Sequence, residues 1–445
     1  PISKLIDGDN LISNIYCFLG ADGTTAGVTT PEQTQYAIKM AYKNMFAMKR
    51  IRNNDISPMI EKNQWKVNTY YDMYSDTENM FEKDIYGKLL KKFYIVNKFD
   101  QVFKCLWNAK SLKTFYNVTD VQISNTIVSI SHSGVNVFNI GDYVTIDYSN
   151  PQSYNGTYKV VSVQPSVANV EFSIGESYKF SSTDAYIGNA IISKSTLSTI
   201  EPHLDVGTFD SSLNITTADG YKWKYIYTLD KGKKEKFFHN DYIPVEIFQE
   251  EPKNSYLTTL RSGGVDIVGV VYGGNGYTDG TITTTITING DGYGATAVGY
   301  VSGNTISDIV ITAPGSDYTY ATIDIAPSYD YSGSGAIAEV HVSPIGGHGF
   351  DPIAEFGCTD IMISSSFEGS ESGSIPTDIT FNQIGVLINP YSKENSSLHA
   401  NGSFYSLSTQ VVTSTPIVSF IQGEPVIQGV NENDFTFKGT CLSFN

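Results

Sequence analysis

The residues of this chain most able to do chemistry lie in glycine-rich turns. Gly273-Gly274-Asn275-Gly276-Tyr277-Thr278-Asp279 has the Gly/Asp make-up of calcium turns in parallel β-rolls. Those turns come in tandem nonapeptides, because each ion is shared between successive turns. Here the Asp falls one place late and no tandem copy follows. Asn289-Gly290-Asp291-Gly292 lacks the remaining ligands of a helical calcium loop and its distal Glu. Both segments read as hairpin turns. Among six His residues only His341 and His348 are close, and their separation across Gly346-Gly347 is no metal-ligand spacing. No Ser stands in a Gly-x-Ser-x-Gly elbow, and Gly273–Gly276 leads into more strand, so no phosphate-cradling helix is offered. Asp and Glu are plentiful enough for some pair to support glycoside hydrolysis, but that chemistry needs two carboxylates at a fixed separation in space, which a sequence does not show. Cys17, Cys105, Cys358 and Cys441 stand far apart with no C-x-x-C pair and read as reduced, buried thiols. No residue is assigned a catalytic, cofactor-binding or metal-ligating role, no cofactor is implied, and the chain is expected not to be an enzyme.

The elements that would position such residues are mostly strands. Ile15-Tyr16-Cys17-Phe18-Leu19 reads as a short buried strand. Thr30-Pro31-Glu32-Gln33 offers a Thr N-cap, Pro at the first helical position and Gln three places after the cap. Ile38, Ala41, Tyr42, Met45 and Met48 follow at helical spacing, and Lys49, Arg50 and Arg52 suit a helix C-terminus, so a helix is predicted from about Pro31 to Arg52. From Trp65 the period falls to two, with strands predicted at Tyr70–Tyr74, Phe93–Val96 and Gln101–Trp107. Tyr221, Trp223, Tyr225 and Tyr227 alternate with Lys222, Lys224 and Ile226, which predicts a strand with one aromatic face serving as core or subunit interface. Gln383–Ile388 reads as a buried strand near the C-terminus.

Two stretches look inserted. Residues 120–195 carry closely spaced strand candidates (Ile127–Ile130, Tyr143–Ile146, Thr157–Val161, Val170–Phe172) with turns at Gly141-Asp142 and Asn155-Gly156, the pattern of a small β-barrel or sandwich. Residues 263–345 hold an internal repeat. Gly276-Tyr277-Thr278 returns as Asp317-Tyr318-Thr319, and Gly294-Ala295-Thr296-Ala297 returns as Gly335-Ala336-Ile337-Ala338. Two copies are too few for a solenoid and imply a duplicated β-hairpin module. The expected map is an α+β N-terminal part of the core over 1–119, a barrel or sandwich over 120–195, and a return to the core over 196–262. A Gly-rich duplicated module over 263–345 and a C-terminal β part of the core over 346–445 complete it. The fold class expected is mainly β and multi-domain, with a sandwich-like core carrying inserted small β modules.

Composition narrows the partners. The 445 residues suffice for several cores, and 40% apolar content excludes a disordered chain. Charged residues are only 17%, replaced by the Tyr, Ser, Thr, Asn and Gly of β surfaces and large interfaces. A net charge of −17 makes nucleic acid an unlikely partner, because phosphate binding needs a concentrated positive face. No apolar run is long enough for membrane insertion and no leader-like segment opens the chain, so manufacture in a cytoplasm is expected. Pro1 reads as following a removed initiator methionine.

Several segments follow one another in a recognisable order: the Thr30-Pro31 helix leading through Ile51 to Trp65, Tyr70-Tyr71-Asp72, and Val102-Phe103-Lys104-Cys105-Leu106-Trp107. Thr217–Tyr225, Asp241-Tyr242-Ile243-Pro244-Val245, Gly346-Gly347-His348-Gly349 and Gln383–Pro390 complete the set. Their order resembles the gene-eight baseplate wedge subunit of T-even-like contractile-tailed phages. The resemblance implies a largely β virion subunit, assembled in the host cytoplasm, that forms a homodimer and contacts other phage baseplate wedge proteins. It implies no catalytic residue. The insertions 120–195 and 263–345 depart from shorter forms of the family. A receptor- or glycan-binding tail protein, using tyrosines as a stacking surface, is the alternative; a glycan depolymerase is a third reading.

Overall fold

The structure, a computed structural model, describes residues 6–7, 10–11, 14–20, 35–75, 78–84, 87–109, 115–124, 127–134, 137–147, 149, 156–164, 169–173, 188, 190–205, 213–246, 263–282, 286–326, 333–344, 346–366, 383–391, 425–431 and 434–440. It is mainly β, with several separate sheets and the short helices Gln35–Asn44, Lys231–Lys236 and Pro352–Glu355. This is the class the sequence predicts. The chain divides into two compact units, one of Pro1–Ser13 with Ile51–Ser366 and one of Asn14–Arg50 with Phe367–Asn445.

The first unit is organised on a four-stranded antiparallel sheet in the order Asn214–Thr216, Tyr221–Thr228, Gln101–Asn108, Tyr94–Val96. All eight residues of Gln101–Asn108 are buried, as are Tyr221 through Tyr227, so both faces of the sheet are covered. One face is aromatic, as the period-2 pattern predicts: Tyr221 stacks on Trp223 with ring centroids 5.5 Å apart, and Tyr71 meets Trp223 edge-on at 5.4 Å. Phe103, Cys105 and Tyr225 fill the same cluster. Tyr227 departs from it. A bulge between Tyr225 and Tyr227 resets the alternation, and Tyr227 packs instead with Tyr94, Val102 and Phe356. Beside this sheet lies a second, ordered Tyr242–Pro244, Ile56–Glu61, Asp360–Ile363. Tyr70–Tyr74, predicted as a strand, runs without a ladder and is held by bonds such as Tyr74 N–H to the Cys105 carbonyl at 2.8 Å.

The strands between Phe115 and Lys194 form one seven-stranded sheet, ordered Gly156–Lys159, Tyr143–Asp147, Ile191–Lys194, Phe115–Ser124, Ile127–His132, Asn169–Ser173, Ser162–Gln164. Its two edge strands are separated in the chain by only Val160 and Val161. The chain therefore turns the corner between the edges, and Phe115–Ser124 turns the opposite one through a shift between Val118 and Asp120. Val128, Ile130, Val144, Ile146, Tyr158 and Ile192 fill the interior. Tyr70 of the core stacks on Tyr143 at 5.5 Å and bonds to Thr157 Oγ1 at 2.9 Å.

The internal repeat has a physical basis. The first strand, Val265–Asn275, pairs with the last, Ser334–Val342, while Tyr293–Ser302 pairs with Thr305–Ser316. Tyr277 and Tyr318, the repeated tyrosines, are both buried. Each ring lies over a glycine in the left-handed region (Gly274, φ +67; Gly315, φ +69), with the hypothetical Cβ only 2.8 Å from the ring. Gly333 closes the other side on Tyr277, and Gly292 does so on Tyr318. The repeat is thus a tyrosine in a glycine slot, made twice. The module also shares a cluster with the core: Leu106 and Trp107 pack with Ile267 and Val271, and Trp107 lies flat on Gly269.

In the second unit Ile15–Gly20 is the middle strand between Gln383–Ile388 and Met45–Arg50. The helix predicted through Arg52 ends at Asn44, and Met45–Arg50 is a strand. Pairing of Met48 with Phe18 and of Arg50 with Tyr16 overrides the helical preference of the Met, Ala, Lys and Arg residues in this segment, since intrinsic propensity amounts to less than about 1 kcal/mol per residue. The Thr30–Gln33 cap signature lies outside the described residues. Gln383–Ile388 is an edge strand and not a buried one: Ile384 is 74% exposed, while Gly385 lies under the Phe18 ring. No helix among the described residues is long and apolar enough to cross a membrane.

The glycine slots give a paired expectation. Gly292→Ala and Gly333→Ala each push a methyl group into a buried tyrosine ring, and each should cost about 1–3 kcal/mol in urea unfolding. Gly303→Ala meets open space at φ +64 and should cost only the left-handed penalty of about 1–2 kcal/mol. Equal melting of Gly292→Ala, Gly333→Ala and wild type would show that the slots do not hold the repeat.

Candidate functional site

The second face of the central sheet carries lysines. Lys222 and Lys224 alternate with the aromatic residues of Tyr221–Thr228, and Lys104 stands directly opposite Lys224 on Gln101–Asn108. All three are buried. Like charges opposed across an antiparallel pair repel, and desolvation adds to the cost, so the arrangement requires matching anions.

Three carboxylates meet them. Lys104 Nζ donates to Glu355 Oε1 at 2.5 Å, Lys224 Nζ to Asp266 Oδ1 at 2.9 Å, and Lys222 Nζ to Asp308 Oδ1 at 2.8 Å. Lys222 also donates to the Val268 carbonyl at 3.1 Å. His348 links two of these pairs. Its Nδ1 lies 2.6 Å from Glu355 Oε1 and its Nε2 lies 2.7 Å from Asp266 Oδ2. The Gly349 amide donates to Glu355 Oε2 at 2.6 Å. The Lys104 ammonium also rests on the Tyr74 ring, 3.8 Å from its centroid. The result is a continuous buried chain, Lys104–Glu355–His348–Asp266–Lys224.

Each member comes from a different element. The lysines belong to neighbouring strands of the core sheet, Asp266 to the strand that enters the Gly-rich module, and His348 to the turn that follows it. Glu355 is on the helix Pro352–Glu355, whose N-terminus is fixed by Asp351 accepting from the Ala354 amide at 3.0 Å. Burial opposes ionisation of Glu355, but Lys104 and His348 outweigh it and hold its carboxyl down at about 2. Asp266 is likewise opposed by burial and is held well below the usual carboxylate range by Lys224 and His348. Burial lowers the Lys104 ammonium, with Glu355 acting against it. Each ring nitrogen of His348 thus lies within hydrogen-bond distance of a carboxylate that is also held by a lysine.

The cluster has a positioning chemistry. The histidine nitrogens point to opposite carboxylates and those carboxylates are occupied by lysines, so the donors do not converge on one point. Among the described residues no group of three or more His, Cys, Asp or Glu side chains is arranged to hold a metal ion. The residues weighed for chemistry in the sequence go elsewhere. Asp291 accepts from Thr319 Oγ1 at 2.5 Å and from the Thr319 and Tyr320 amides, and Asp279 accepts from the Asn304 amide at 2.9 Å. Both tie turns. His341 lies against Trp107, ring centroids 5.9 Å apart, and is not joined to His348. Sequence reasoning missed the whole cluster. One signal could have found it: Lys104 and Asp266 each interrupt an apolar run, Val102–Trp107 and Val265–Val268, as single charges.

Two outcomes follow from the ion pairs. Glu355→Gln leaves Lys104 buried without its anion and should cost about 3–5 kcal/mol, part of it recovered by adding Lys104→Met. An unchanged unfolding midpoint in denaturant would exclude a structural role for the pair. The second outcome concerns acid. A depressed carboxyl binds its proton more weakly in the folded state, so its stabilisation is complete above its ordinary value of 4.5 and fades as pH falls toward about 2. The stability gap between wild type and Glu355→Gln should therefore be constant above that range and shrink within it.

No protein-family model matches the chain and no curated protein matches it.

Proposed function

We propose that this chain is a structural subunit of a contractile phage tail baseplate wedge, a homodimer that bridges neighbouring wedge proteins during assembly and sheath-contraction triggering. One observation carries the reading. Most of the segments on which the wedge resemblance rests come from distant parts of the sequence yet build one core. Val102–Trp107 pairs with Tyr221–Tyr225, Asp241–Val245 lies against Ile56–Glu61, and Gly346–Gly349 brings His348 to Glu355 and Asp266. A resemblance by chance in short strings would have no reason to collect around one buried charge chain. The 263–345 insertion supplies Asp266 to that chain and Asp308 to Lys222, so it is tied into the core that the other segments build. The aromatic strand Tyr221–Thr228 is buried inside the unit, which weakens its use as a glycan-stacking platform.

A receptor- or glycan-binding role keeps one supporting observation. Tyr293, Tyr300 and Tyr320 of the Gly-rich module are exposed. Such side chains can stack on sugar rings or bury against a neighbouring subunit.

Reconstitution separates the readings. The purified chain should sediment as a dimer and should co-sediment with wedge proteins of its own phage. A largely neutral interface draws its energy from apolar burial and desolvated hydrogen bonds, so the complex should survive about a tenfold rise in salt. Tyr substitutions at the contact should weaken it more than Asp or Glu substitutions. Failure to bind any tail protein at either salt, together with retention on host-surface glycans, would replace the wedge reading with receptor binding.

A further inference from the structure

We propose that Lys104 and Glu355 are the two halves of an intramolecular cross-link, an amide that forms slowly in the folded chain between the lysine Nζ and the glutamate Cδ. The inference does not depend on the wedge assignment, because it concerns only the chemistry of two buried side chains.

Three features distinguish this pair from the other ion pairs of the chain. Both side chains are buried, so the water that would hydrolyse an amide or hold the charges apart is kept out. Lys104 Nζ already lies 2.5 Å from Glu355 Oε1. The Tyr74 ring at 3.8 Å and the Phe356 ring at 5.7 Å flank the nitrogen and confine it beside the carboxyl group. The other oxygen, Oε2, accepts from the Gly349 amide at 2.6 Å, a donor placed where negative charge gathers when the carboxyl carbon is attacked. Lys224 and Asp266 are nearly as close, at 2.9 Å, but Asp266 Oδ2 faces the His348 ring where Glu355 Oε2 has a backbone amide. Lys222 and Asp308 are less enclosed, and water reaches the Asp308 side chain.

The step balances within the pair. The ammonium passes one proton to Oε1, leaving an amine and a carboxylic acid. Burial is the largest influence on both groups and opposes both charges, which favours this exchange; their mutual attraction opposes it and makes the step slow. The Nζ lone pair attacks Cδ, the bond from Cδ to Oε1 breaks, and Oε1 departs as water. Of the three ammonium hydrogens, two leave in that water and one stays on the amide. Oε2 becomes the amide carbonyl oxygen, still held by Gly349. No oxidant, metal or outside acid is consumed. Holding amine and acid in contact supplies an effective concentration of about 10⁵ M or more, which free groups lack. The product replaces two buried charges by one neutral group and ties strand Gln101–Asn108 to helix Pro352–Glu355 across 251 residues. The ion pair is the reactant, so the acid response of Glu355 belongs to unreacted chains.

The test is mass spectrometry of the full chain, fresh and after days in native buffer. The aged protein should contain a fraction lighter by the mass of one water. Proteolysis of that fraction should release a branched peptide joining Lys104 to Glu355. The fraction should grow with time in the folded chain and stay absent from chain aged in concentrated urea, where the contact is lost. Lys104→Met and Glu355→Ala should each abolish it; if neither variant folds, the branched peptide in the wild type decides alone. No branched peptide at any age would overturn the proposal, as would equal formation in urea or a bond at Lys224 and Asp266 in its place. A water loss that mild alkali reverses, mapping to an Asp-Gly pair such as Asp291-Gly292, would be a succinimide and would overturn it too.

Discussion

Two lysines stand opposite one another in the middle of a sheet that water does not reach, and the architecture of the first unit follows from how they are neutralised. Lys104 and Lys224 could not remain buried against each other unaided, since each charge loses its hydration and gains a like-charged neighbour. Glu355 and Asp266 supply the anions, and His348 joins the two pairs into one chain. The carboxylates and the histidine come from sequence far beyond the sheet, so the interaction exists only when the module entry, the following turn and the helix Pro352–Glu355 are all in place. Buried ion pairs seldom add net stability over apolar packing. What they add here is selectivity: a shifted module would strand a charge, whereas an apolar contact would tolerate the shift.

The same sheet shows how one strand serves two kinds of core. Toward one side Tyr221, Trp223 and Tyr225 give a dry aromatic cluster whose energy is non-directional burial. Toward the other side the lysine pairs are directional and fix position. The bulge after Tyr225 ends this division and sends Tyr227 to the cluster around Phe356, which is next to Glu355. The aromatic and ionic faces therefore meet at the short helix, where Lys104 rests between Tyr74 and its carboxylate.

Legibility of the fold followed the range of the interactions involved. Short-range patterns carried well: the period-2 aromatic strand, the turn-rich barrel strands and the repeated Gly-Tyr signature of 263–345 each correspond to a local physical cause. The mainly β class was readable for that reason. Helix Pro31–Arg52 was over-extended because Met45 and Met48 satisfy a helical spacing, while the pairing of Met45–Arg50 with Ile15–Gly20 depends on a partner strand that local propensity does not contain. Gln383–Ile388 reads as core by composition, yet it lies at a sheet edge, and only topology reveals an edge. The charge cluster was invisible for the strongest version of the same reason. Its members are separated by up to 251 residues, and an alternating Lys on a strand ordinarily faces water.

The glycine slots and the charge chain also divide the work of holding the Gly-rich module. Tyr277 and Tyr318 are enclosed by glycines of the module itself, Gly274 with Gly333 and Gly315 with Gly292, so its internal shape does not rely on the core. Its attachment uses other residues: Ile267 and Val271 against Trp107, and Asp266 and Asp308 against the lysines. A change in the attachment can therefore leave the interior of the module unaltered. The apolar contact on Trp107 is non-directional and the Lys222–Asp308 pair is directional, so together they fix both the closeness and the position of the module on the sheet without drawing on the glycine slots.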